Sequence, residues 1–581
     1  MLQLPRFTLL TITQFIKKLN RPRSQLVIYG GTEQYPLSFF EGETFVYTIG
    51  GGIPGSSGSI SVNDPIRLHE IAIEERDAYS RWIYSFNQKF LNRRLVFEEL
   101  SLFLLSDCSC KRTEIFETYA AICNLLLICE IIKEKSPDRI VAVSCDGKFL
   151  RSLHSVAGQV PVIVVSKRGI DLKRVKRFLS DLRFVSEITV ITFLKALAFV
   201  QEPKRLREVK RQYFTIYPKM CDSHGKDNKY GSLVGGDDEY AATIISDGYH
   251  QHVSILEYFR LRRKAFNAGI VVIDEYLSLR DCIKCVYWLS RLRISLIGAS
   301  AATSFRNIDT SLWIKEEFSQ SASRLGRFMG IMGSFERFFD DSETSEFVYY
   351  LHEYSIGRMM SWLLGRHSRT IKAIGFQHGP AAWRKLVYFT CPEEVSGKKN
   401  YRTTIPMPKE VLAEDNRSMD IYRYAGYQNV SVMKSIYRLA YLEDIKIEND
   451  KLYSLIVPGL NDGAIMLNVL VGLIKKDYMR TYFLKPHPLA NNCYINELEL
   501  IQNLVVTTDP IDTLLSTVSE VFVTYSSVGV EARRIGITVK VVDIPGRINQ
   551  SPLLDEVNAT RDTYRENGSK TIESKYLWSI G

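Results

Sequence analysis

Short runs of apolar, mostly β-branched residues alternate along this chain with longer segments of helical periodicity. A polar or glycine-containing turn ends each run, and a helical segment follows it. In the first half of the chain such runs occur at residues 25–29, 139–143, 160–165, 242–245 and 269–273. The pattern predicts parallel strands that are covered on both faces by helices, and therefore an α/β fold.

The last third of the chain repeats this pattern more regularly. Strands are predicted at residues 452–457, 481–484, 504–506, 521–524 and 539–542, with a helix at 464–476. Between the two α/β regions lies a polar stretch at 391–404, followed by Ile405-Pro-Met-Pro408. Two prolines within three residues exclude a helix there and favour an extended crossover.

This organisation predicts two doubly wound, Rossmann-like domains with a cleft between them. An N-terminal domain is expected at residues 1–385, a linker or crossover at 386–450 and a C-terminal domain at 451–581. In such folds ligands bind beyond the carboxyl ends of the strands. The turns that follow the predicted strands are therefore the places to look for functional residues.

Composition narrows the class of protein. Of the 581 residues, 45% are hydrophobic and 24% are charged, and the formal net charge is +10. This balance is typical of a soluble globular enzyme and excludes a fully disordered, collagenous or coiled-coil protein. The modest basic excess favours anionic partners such as nucleotides, phosphates or a phospholipid surface, and it does not by itself indicate nucleic-acid binding.

The cysteine spacing and the N-terminus bear on the cellular compartment. Ten cysteines at irregular spacing favour reduced thiols over a disulfide scaffold. Basic residues near the N-terminus follow an apolar stretch instead of preceding it, so no secretory signal is predicted. No run of about 18 uncharged apolar residues is present. A cytoplasmic protein is therefore expected.

The strongest local signal is Leu484-Lys-Pro-His-Pro488, directly after a predicted strand. Pro488 and the proline before His487 hold the backbone extended, so that Lys485 and His487 can be directed at one ligand. A cation beside an imidazole suits a phosphate or a phosphoester leaving group. The alternative is a rigid surface turn.

A second signal is Thr524-Tyr-Ser-Ser-Val-Gly-Val-Glu531, again a strand, a turn and then a helix. Small hydroxyl residues at the start of a helix offer hydroxyl and backbone N–H donors to an anion. Ser526 and Ser527 are therefore candidate phosphate ligands, and Gly529 would allow close approach. A plain helix cap is the alternative.

A third signal is Ile374-Gly-Phe-Gln-His-Gly-Pro380, at the end of a strand-like run and near the predicted domain boundary. Gln377 and His378 are expected to point into the cleft, with His378 a candidate catalytic residue. A structural histidine in a turn is the alternative.

Three Asp-Gly turns also follow predicted strands, at Asp146, Asp247 and Asp462. A carboxylate in this position is suited to general-base catalysis, although Asp-Gly is also a common structural turn. The third turn lies between Gly459 and Gly463, which could let a phosphate approach the start of a helix.

No metal site is predicted. The pair Cys282-Ile-Lys-Cys285 lacks a second cysteine pair, which a structural zinc site would need. No Asp-x-Asp motif follows a predicted strand, so metal-dependent binding of a nucleotide sugar is not indicated.

The order Gln-His-Gly, Lys-Pro-His-Pro and Tyr-Ser-Ser-x-Gly-x-Glu resembles bacterial capsule and surface-polysaccharide glycosyltransferases of the GT-B type. Within that group, the His-Pro element and the serine pair resemble sialyltransferases and Kdo transferases, which use CMP-activated 2-keto sugar acids. The resemblance implies that His487, Ser526 and Ser527 hold the CMP phosphate of the donor. It also places a catalytic base at Asp247, although Ser246 stands where the family has a first acidic residue, and Glu353 is the competing carboxylate.

The resemblance implies a metal-independent glycosyltransferase without a resident cofactor. It would move a nonulosonic or octulosonic acid, such as a sialic-, pseudaminic- or Kdo-like sugar, from a CMP donor to a glycan or lipid-linked glycan acceptor. Residues 451–581 would then be the nucleotide-sugar domain, and the N-terminal domain would bind the acceptor. The alternatives are a teichoic-acid-type polyol-phosphate transferase that uses CDP-glycerol, and a non-catalytic polysaccharide-assembly protein.

A basic segment at residues 167–213 suggests contact with an anionic membrane surface. Basic blocks flank the apolar stretch 184–200, whose side chains could lie among lipid headgroups while the cations meet anionic lipid. This predicts a peripheral protein on the inner face of the plasma membrane. A solvated helix face that packs on the first domain is the alternative.

Overall fold

The structure is a computed structural model that describes most of the chain. The described residues are 23–31, 42–50, 59–113, 115–165, 173–197, 211–215, 227, 229–234, 239–242, 255–267, 270–299, 302–352, 355–367, 371–396, 400–447, 450–487, 490, 501–556, 559–566 and 570–580.

The first sheet is formed by residues 24–165. Its elements are β1 (Ser24–Tyr29), β2 (Glu43–Thr48), β3 (Ser59–Ser61), α1 (Pro65–Glu74), α2 (Arg76–Ser85), α3 (Asn87–Asn92), a hairpin of β4 (Val96–Phe97) and β5 (Leu100–Ser101), α4 (Thr118–Lys135), β6 (Arg139–Val143), α5 (Gly147–Val156) and β7 (Val162–Val165). The sheet strands are all parallel, in the order β3-β2-β1-β6-β7. The apolar run Leu26, Val27 and Ile28 is fully buried. Leu26 and Ile28 pack against the helices on one face of the sheet, whereas Val27 packs against Val46 and Val141 of the neighbouring strands on the other.

The second sheet follows at residues 211–432. The elements from α6 onward are α6 (Lys173–Leu197), β8 (Arg211–Thr215), β9 (Glu239–Ala242), α7 (Ile255–Asn267), β10 (Val271–Val272), α8 (Leu279–Ser295), a hairpin of β11 (Ser304–Phe305) and β12 (Ile308–Asp309), α9 (Ser311–Asp341), β13 (Glu346–Tyr350), α10 (Ile356–His367), β14 (Lys372–Phe376), α11 (Pro392–Val395), β15 (Glu410–Ala413), α12 (Asn416–Tyr424) and β16 (Val430–Val432). Its strands are parallel, in the order β10-β9-β8-β13-β14-β15-β16.

The third sheet is formed by residues 450–580. Its elements are β17 (Asp450–Val457), α13 (Gly463–Lys476), β18 (Thr481–Leu484), β19 (Leu504–Val506), α14 (Ile511–Thr517), β20 (Val518–Val523), α15 (Val528–Arg534), β21 (Thr538–Val542), β22 (Ala559–Glu566) and β23 (Lys570–Ile580). The order is β19-β18-β17-β20-β21-β23-β22. The first five strands are parallel, and the last two pair antiparallel at one edge.

Short 3₁₀ turns complete the secondary structure, at Leu102–Leu105, Gly231–Leu233, Ile273–Tyr276, Leu386–Tyr388, Tyr437–Asp444 and Pro552–Asp555. No described helix is both long enough and apolar enough to cross a membrane.

The predicted α/β class, with sheets of mainly parallel strands, is confirmed. The first of the two predicted doubly wound domains, residues 1–385, comprises the whole first sheet and most of the second. The interval 386–450, predicted as a linker, adds β15 and β16 to the second sheet before the chain crosses to the third. The predicted strands of the last third match the structure to within three residues at each end.

The segment 543–556, which follows β21, joins the third sheet to the first. The backbone carbonyl of Gly546 accepts a hydrogen bond of 2.9 Å from the amide of Asn124 in α4. Gly546 has φ +73°, and a Cβ there would lie 2.2 Å from the carbonyl oxygen of Thr48, so only glycine allows this approach. Further along the segment, the Asn549 backbone N–H donates to Nε2 of His69 at 3.2 Å.

The same segment joins the third sheet to the second through the buried side chain of Arg384. Its Nε donates to the carbonyl of Asn549 at 2.9 Å, and its terminal nitrogens lie 3.3 Å from the carbonyl of Ser551 and 3.1 Å from the carboxylate of Asp555. The backbone N–H of Trp383 donates to the other oxygen of Asp555 at 3.0 Å. Because the side chains of Arg384 and Asp555 are almost fully buried, the contact depends on the guanidinium.

We expect Arg384→Ala to lower the free energy of unfolding by about 3 to 5 kcal/mol, because it leaves a buried carboxylate and two carbonyls without their partner. The matched control is Arg81→Ala, which removes an exposed ion pair of 3.1 Å with Glu393 and should cost less than about 1 kcal/mol. Urea unfolding followed by tryptophan fluorescence measures both. Equal stability of the two variants would show that Arg384 does not hold the sheets together.

Candidate functional site

Three neighbouring strands of the third sheet end in residues that the sequence analysis selected. Lys485 and His487 follow β18, Gly459 follows β17, and the serine pair Ser526 and Ser527 follows β20. The strands are parallel and adjacent in the order β18-β17-β20, so the three turns lie side by side at one edge of the sheet. The structure thus brings these residues together, and their role as ligands stays a prediction.

The turn after β18 orients its two polar side chains differently. The Lys485 ammonium donates to the backbone carbonyls of Thr508, at 3.4 Å, and Asp509, which holds it on the β19 side of the edge. The ring of His487 is half-buried, and burial lowers its pKa below the usual value for histidine. At neutral pH the imidazole is therefore uncharged and offers one N–H donor. Pro488 lies outside the described residues.

The turn after β20 has a half-buried Ser526 and a hydrogen-bonded Ser527. The Ser526 hydroxyl accepts a long bond of 3.4 Å from the Val528 N–H, whereas the Ser527 hydroxyl donates to the carboxylate of Glu531 at 3.1 Å. Gly529 is buried, and a Cβ there would lie 2.8 Å from a methyl group of Val523. Gly529 therefore lets α15 pack on β20, a role distinct from the predicted approach to a ligand.

The turn after β17 is tied to the turn after β20. The Gly459 N–H donates to the Thr524 hydroxyl at 3.2 Å, and a Cβ on Gly459 would lie 2.6 Å from the ring of Tyr525. The absence of a side chain thus allows the tyrosine ring to lie directly over this turn. Gly463 is buried as the first residue of α13, immediately after Asp462.

The buried carboxylate of Asp462 forms an ion pair with Arg547 that was not predicted from the sequence. Its carboxylate accepts from the Thr524 hydroxyl at 2.8 Å and from the guanidinium of Arg547 at 2.5 Å. Burial raises the pKa of Asp462, and Arg547 opposes that shift by stabilising the carboxylate. The pair brings a partly exposed guanidinium to the same sheet edge. The available signal was positional, because Arg547 lies in the turn after a predicted strand, as Lys485 does.

His378 lies at the corresponding edge of the second sheet, directly after β14. It is half-buried, and its ring lies 4.8 Å from the ring of Tyr350, centroid to centroid. The Tyr350 hydroxyl donates to the buried carboxylate of Asp227, which also accepts from Thr215 at 2.6 Å. Tyr350 therefore packs against the ring of His378, and its hydrogen bond to Asp227 holds the tyrosine in place.

The expectation that Gln377 points into a cleft is wrong. This side chain is buried, and its amide nitrogen donates to the Gly379 carbonyl at 2.8 Å and to the Ser418 hydroxyl at 3.1 Å. Its amide oxygen accepts from the Glu414 N–H at 3.0 Å. Gln377 therefore holds the ends of β14 and β15 together, since these hydrogen bonds satisfy a buried amide.

Arg438 connects the second-sheet edge to the third-sheet edge. Its guanidinium binds the carboxylate of Glu414, which follows β15, with distances of 2.7 and 3.1 Å. A second contact of 3.6 Å reaches Glu531 in α15, the residue that accepts from Ser527. A single side chain thus spans from the end of β15 to the helix that follows the serine pair.

The remaining predicted residues fall outside this arrangement. Asp247 and Glu353 lie outside the described residues. Asp146 accepts a hydrogen bond of 2.6 Å from the Phe149 N–H and so caps α5, which is the structural role weighed above against general-base catalysis. Within the described part of the chain no three His, Cys, Asp or Glu side chains are grouped as metal ligands. Cys285 is instead buried against α9.

Comparisons with known proteins return only distant similarities. No protein-family model matches the sequence, and no curated protein matches it. A UDP-N-acetylglucosamine 2-epimerase from Rickettsia bellii aligns over 60% of this chain and 82% of its own, at 12% identity and a TM-score of 0.32. The Neisseria meningitidis UDP-GlcNAc 2-epimerase aligns over 56% and 80%, at 10% identity and a TM-score of 0.31.

A third solved structure, the wall teichoic acid polymerase TagF, aligns over 62% of this chain and 77% of its own, at 12% identity and a TM-score of 0.26. All three TM-scores lie below 0.5, so these alignments assign no function.

The lowered pKa of His487 predicts a pH dependence of stability. Between that pKa and about 6.5 the unfolded chain binds a proton that folded His487 does not, so stability falls as the pH drops through this window. His487→Gln should lose this part of the pH dependence, whereas His154→Gln, which replaces an exposed histidine of α5, should behave as wild type. Melting temperatures between about pH 8 and about pH 5 measure the difference. An unchanged pH profile in His487→Gln would contradict the burial of this ring.

Proposed function

We propose that this protein is a glycosyltransferase that binds a nucleotide-activated sugar at the carboxyl edge of the third sheet. The observation that supports the proposal is the convergence of three turns, those after β18, β17 and β20, at one sheet edge. They bring His487, Ser526 and the glycine turn at Gly459 next to one another in strand order. Ligands of doubly wound sheets bind at such edges.

The proposed chemistry is stabilisation of the departing nucleotide phosphate. The imidazole of His487 and the hydroxyl of Ser526 would donate hydrogen bonds to phosphate oxygens, with the backbone at Gly459 close by. Lys485 and Arg547 lie at the same edge and would supply positive charge. Protein cations and hydrogen-bond donors can stabilise a leaving group without a metal ion, so we propose metal-independent transfer.

The acceptor is proposed to bind on the second-sheet side, where His378 follows β14. The contact from Glu414 through Arg438 to Glu531 supports an arrangement in which the two edges border a common site. A carboxylate would deprotonate the acceptor hydroxyl or support the oxocarbenium-like transition state. Asp247 is the first candidate for this group and Glu353 the second.

The proposed donor is a CMP-activated nonulosonic or octulosonic acid, and the proposed acceptor is a surface glycan or its lipid-linked precursor. A lipid-linked acceptor would place the enzyme on the cytoplasmic face of a membrane without crossing it. The sequence motifs that motivate the CMP donor also leave open CDP-glycerol and a polyol-phosphate transfer. A donor assay must therefore include both CMP-sugars and CDP-glycerol.

We expect CMP to raise the melting temperature more than UDP or GDP, because CMP is the leaving nucleotide of a CMP-sugar donor and also of CDP-glycerol in polyol-phosphate transfer. His487→Ala should abolish that stabilisation and lower turnover by about 100-fold or more, because it removes a donor to the leaving group. The matched control, His154→Ala, should stay within about twofold of wild type, because that histidine is exposed on α5 of the first sheet.

The turnover assay offers CMP-Kdo, CMP-sialic acid and CDP-glycerol in parallel. Asp247→Asn and Glu353→Gln separate catalysis from binding, because loss of the base should remove turnover and leave the nucleotide-induced shift intact. If no nucleotide stabilises the wild-type protein, the enzyme proposal fails and the non-catalytic alternative is favoured. If His487→Ala binds CMP and turns over normally, the donor site lies elsewhere.

A further inference from the structure

Helix α8 and the turn after it present a stripe of large apolar side chains to solvent. The six members are 47 to 77% exposed and lie at intervals that place them on one helix face: Leu279, Ile283, Val286, Tyr287, Ile294 and Ile297. The opposite face is buried on α9, where a Cβ on Gly330 would lie 2.6 Å from the Cβ of Cys285. The helix is therefore apolar on both faces, although a helix that only covers a core needs one apolar face.

Helix α6 has a second stripe of the same kind. Its exposed members are Val175, Phe178, Leu179, Leu182, Val190 and Phe193, with exposed fractions of 37 to 57%. The apolar surface was predicted from the sequence at residues 184–200, and the structure places it earlier in the helix. Phe184, Ile188 and Ile191 are buried in the core, so the outward stripe begins earlier, at Val175, about two and a half turns before residue 184.

The two helices lie side by side and antiparallel. Asp181 of α6 accepts from Arg293 of α8, and Thr192 of α6 lies 3.7 Å from the sulfur of Cys282 near the other end of α8. These cross-contacts are about 16 Å apart along α6. Arg327 of α9 donates to the second oxygen of Asp181 at 3.0 Å, which fixes both helices on α9. Because the pair is held this firmly, the two outward stripes form neighbouring rows on one surface.

The charges around these rows are predominantly positive. The basic side chains between 175 and 194 and between 279 and 297 are Lys176, Arg177, Arg183, Arg280, Lys284, Arg291 and Arg293. Of the three acidic side chains in the same intervals, Asp181 and Asp281 are buried against guanidinium groups, and Glu187 pairs with Arg183 at 2.6 Å. Arg293 and Arg183 are the partners of Asp181 and Glu187, so five other basic side chains accompany the apolar rows.

We propose that the stripes on α6 and α8, defined by the two sets of six residues above, form one docking surface for an anionic phospholipid bilayer. Apolar rows accompanied by Lys and Arg are suited to the boundary between headgroups and acyl chains, where the cations meet lipid phosphates. The basic side chains beside both rows are complementary to the negatively charged headgroups of such a bilayer. The inference deepens the membrane location proposed above and does not depend on the identity of the donor.

The test is flotation of the full chain with lipid vesicles. Wild type should float with vesicles of phosphatidylcholine that contain about one quarter phosphatidylglycerol, more weakly at high salt, and hardly at all with pure phosphatidylcholine. The double variant Phe178→Glu/Ile294→Glu places one carboxylate in each row and should lower the partition coefficient by about tenfold or more.

The matched control is Tyr478→Glu/Met479→Glu, which makes the same charge change at side chains that are 78 and 67% exposed in the turn between α13 and β18. It should float as wild type does. Melting temperature and CMP-induced stabilisation should be the same in all three proteins, because every substituted side chain is exposed. That readout separates this inference from the donor site, since a wild type that floats but binds no nucleotide would contradict only the proposed function.

Three results would overturn the docking surface. Wild type could fail to float with either kind of vesicle, or the double variant could float as well as its control. The third result would be that the wild type sediments as a dimer, the double variant sediments as a monomer, and neither protein binds lipid. The stripes would then be an interface between copies of this chain.

Discussion

The buried guanidinium of Arg384 holds the second sheet against the third. It neutralises Asp555 and satisfies two backbone carbonyls of the segment that follows β21. Loss of either partner would leave the other charge buried and unpaired, which costs several kcal/mol, so the junction between the second and third sheets needs both Arg384 and Asp555. Gly546, in the same segment, packs closely against the first sheet and so joins that sheet to the other two.

The segment that forms this junction also positions a charged side chain at the third-sheet edge. The segment 543–556 begins one strand away from the serine turn after β20, and its Arg547 reaches the buried carboxylate of Asp462 beside Gly459. The contacts that hold the sheets together therefore also place a cation at the candidate phosphate site. Arg438 closes the other side of that edge by binding carboxylates from both sheets.

Local sequence pattern was sufficient for the strands of the third sheet and for the turns that hold Lys485, His487 and Ser526, because a strand followed by a turn and a helix is a short-range signal. It could not reveal that residues 24–165 close into a sheet of their own, since strand order depends on long-range pairing. The Asp462–Arg547 pair joins residues 85 positions apart and has no motif. Gln377 was misassigned because pattern cannot distinguish a buried amide from one at a site.

The central claim is that the nucleotide binds across the turns after β17, β18 and β20. Amide hydrogen exchange of the full chain, with and without saturating CMP, tests it most directly, because bound ligand slows the opening of the amides it covers. The account predicts slower exchange at residues 457–463, 484–487 and 524–529, with little change in the first sheet. Protection confined to the first sheet, or none at these three turns while calorimetry shows that CMP binds, would contradict it.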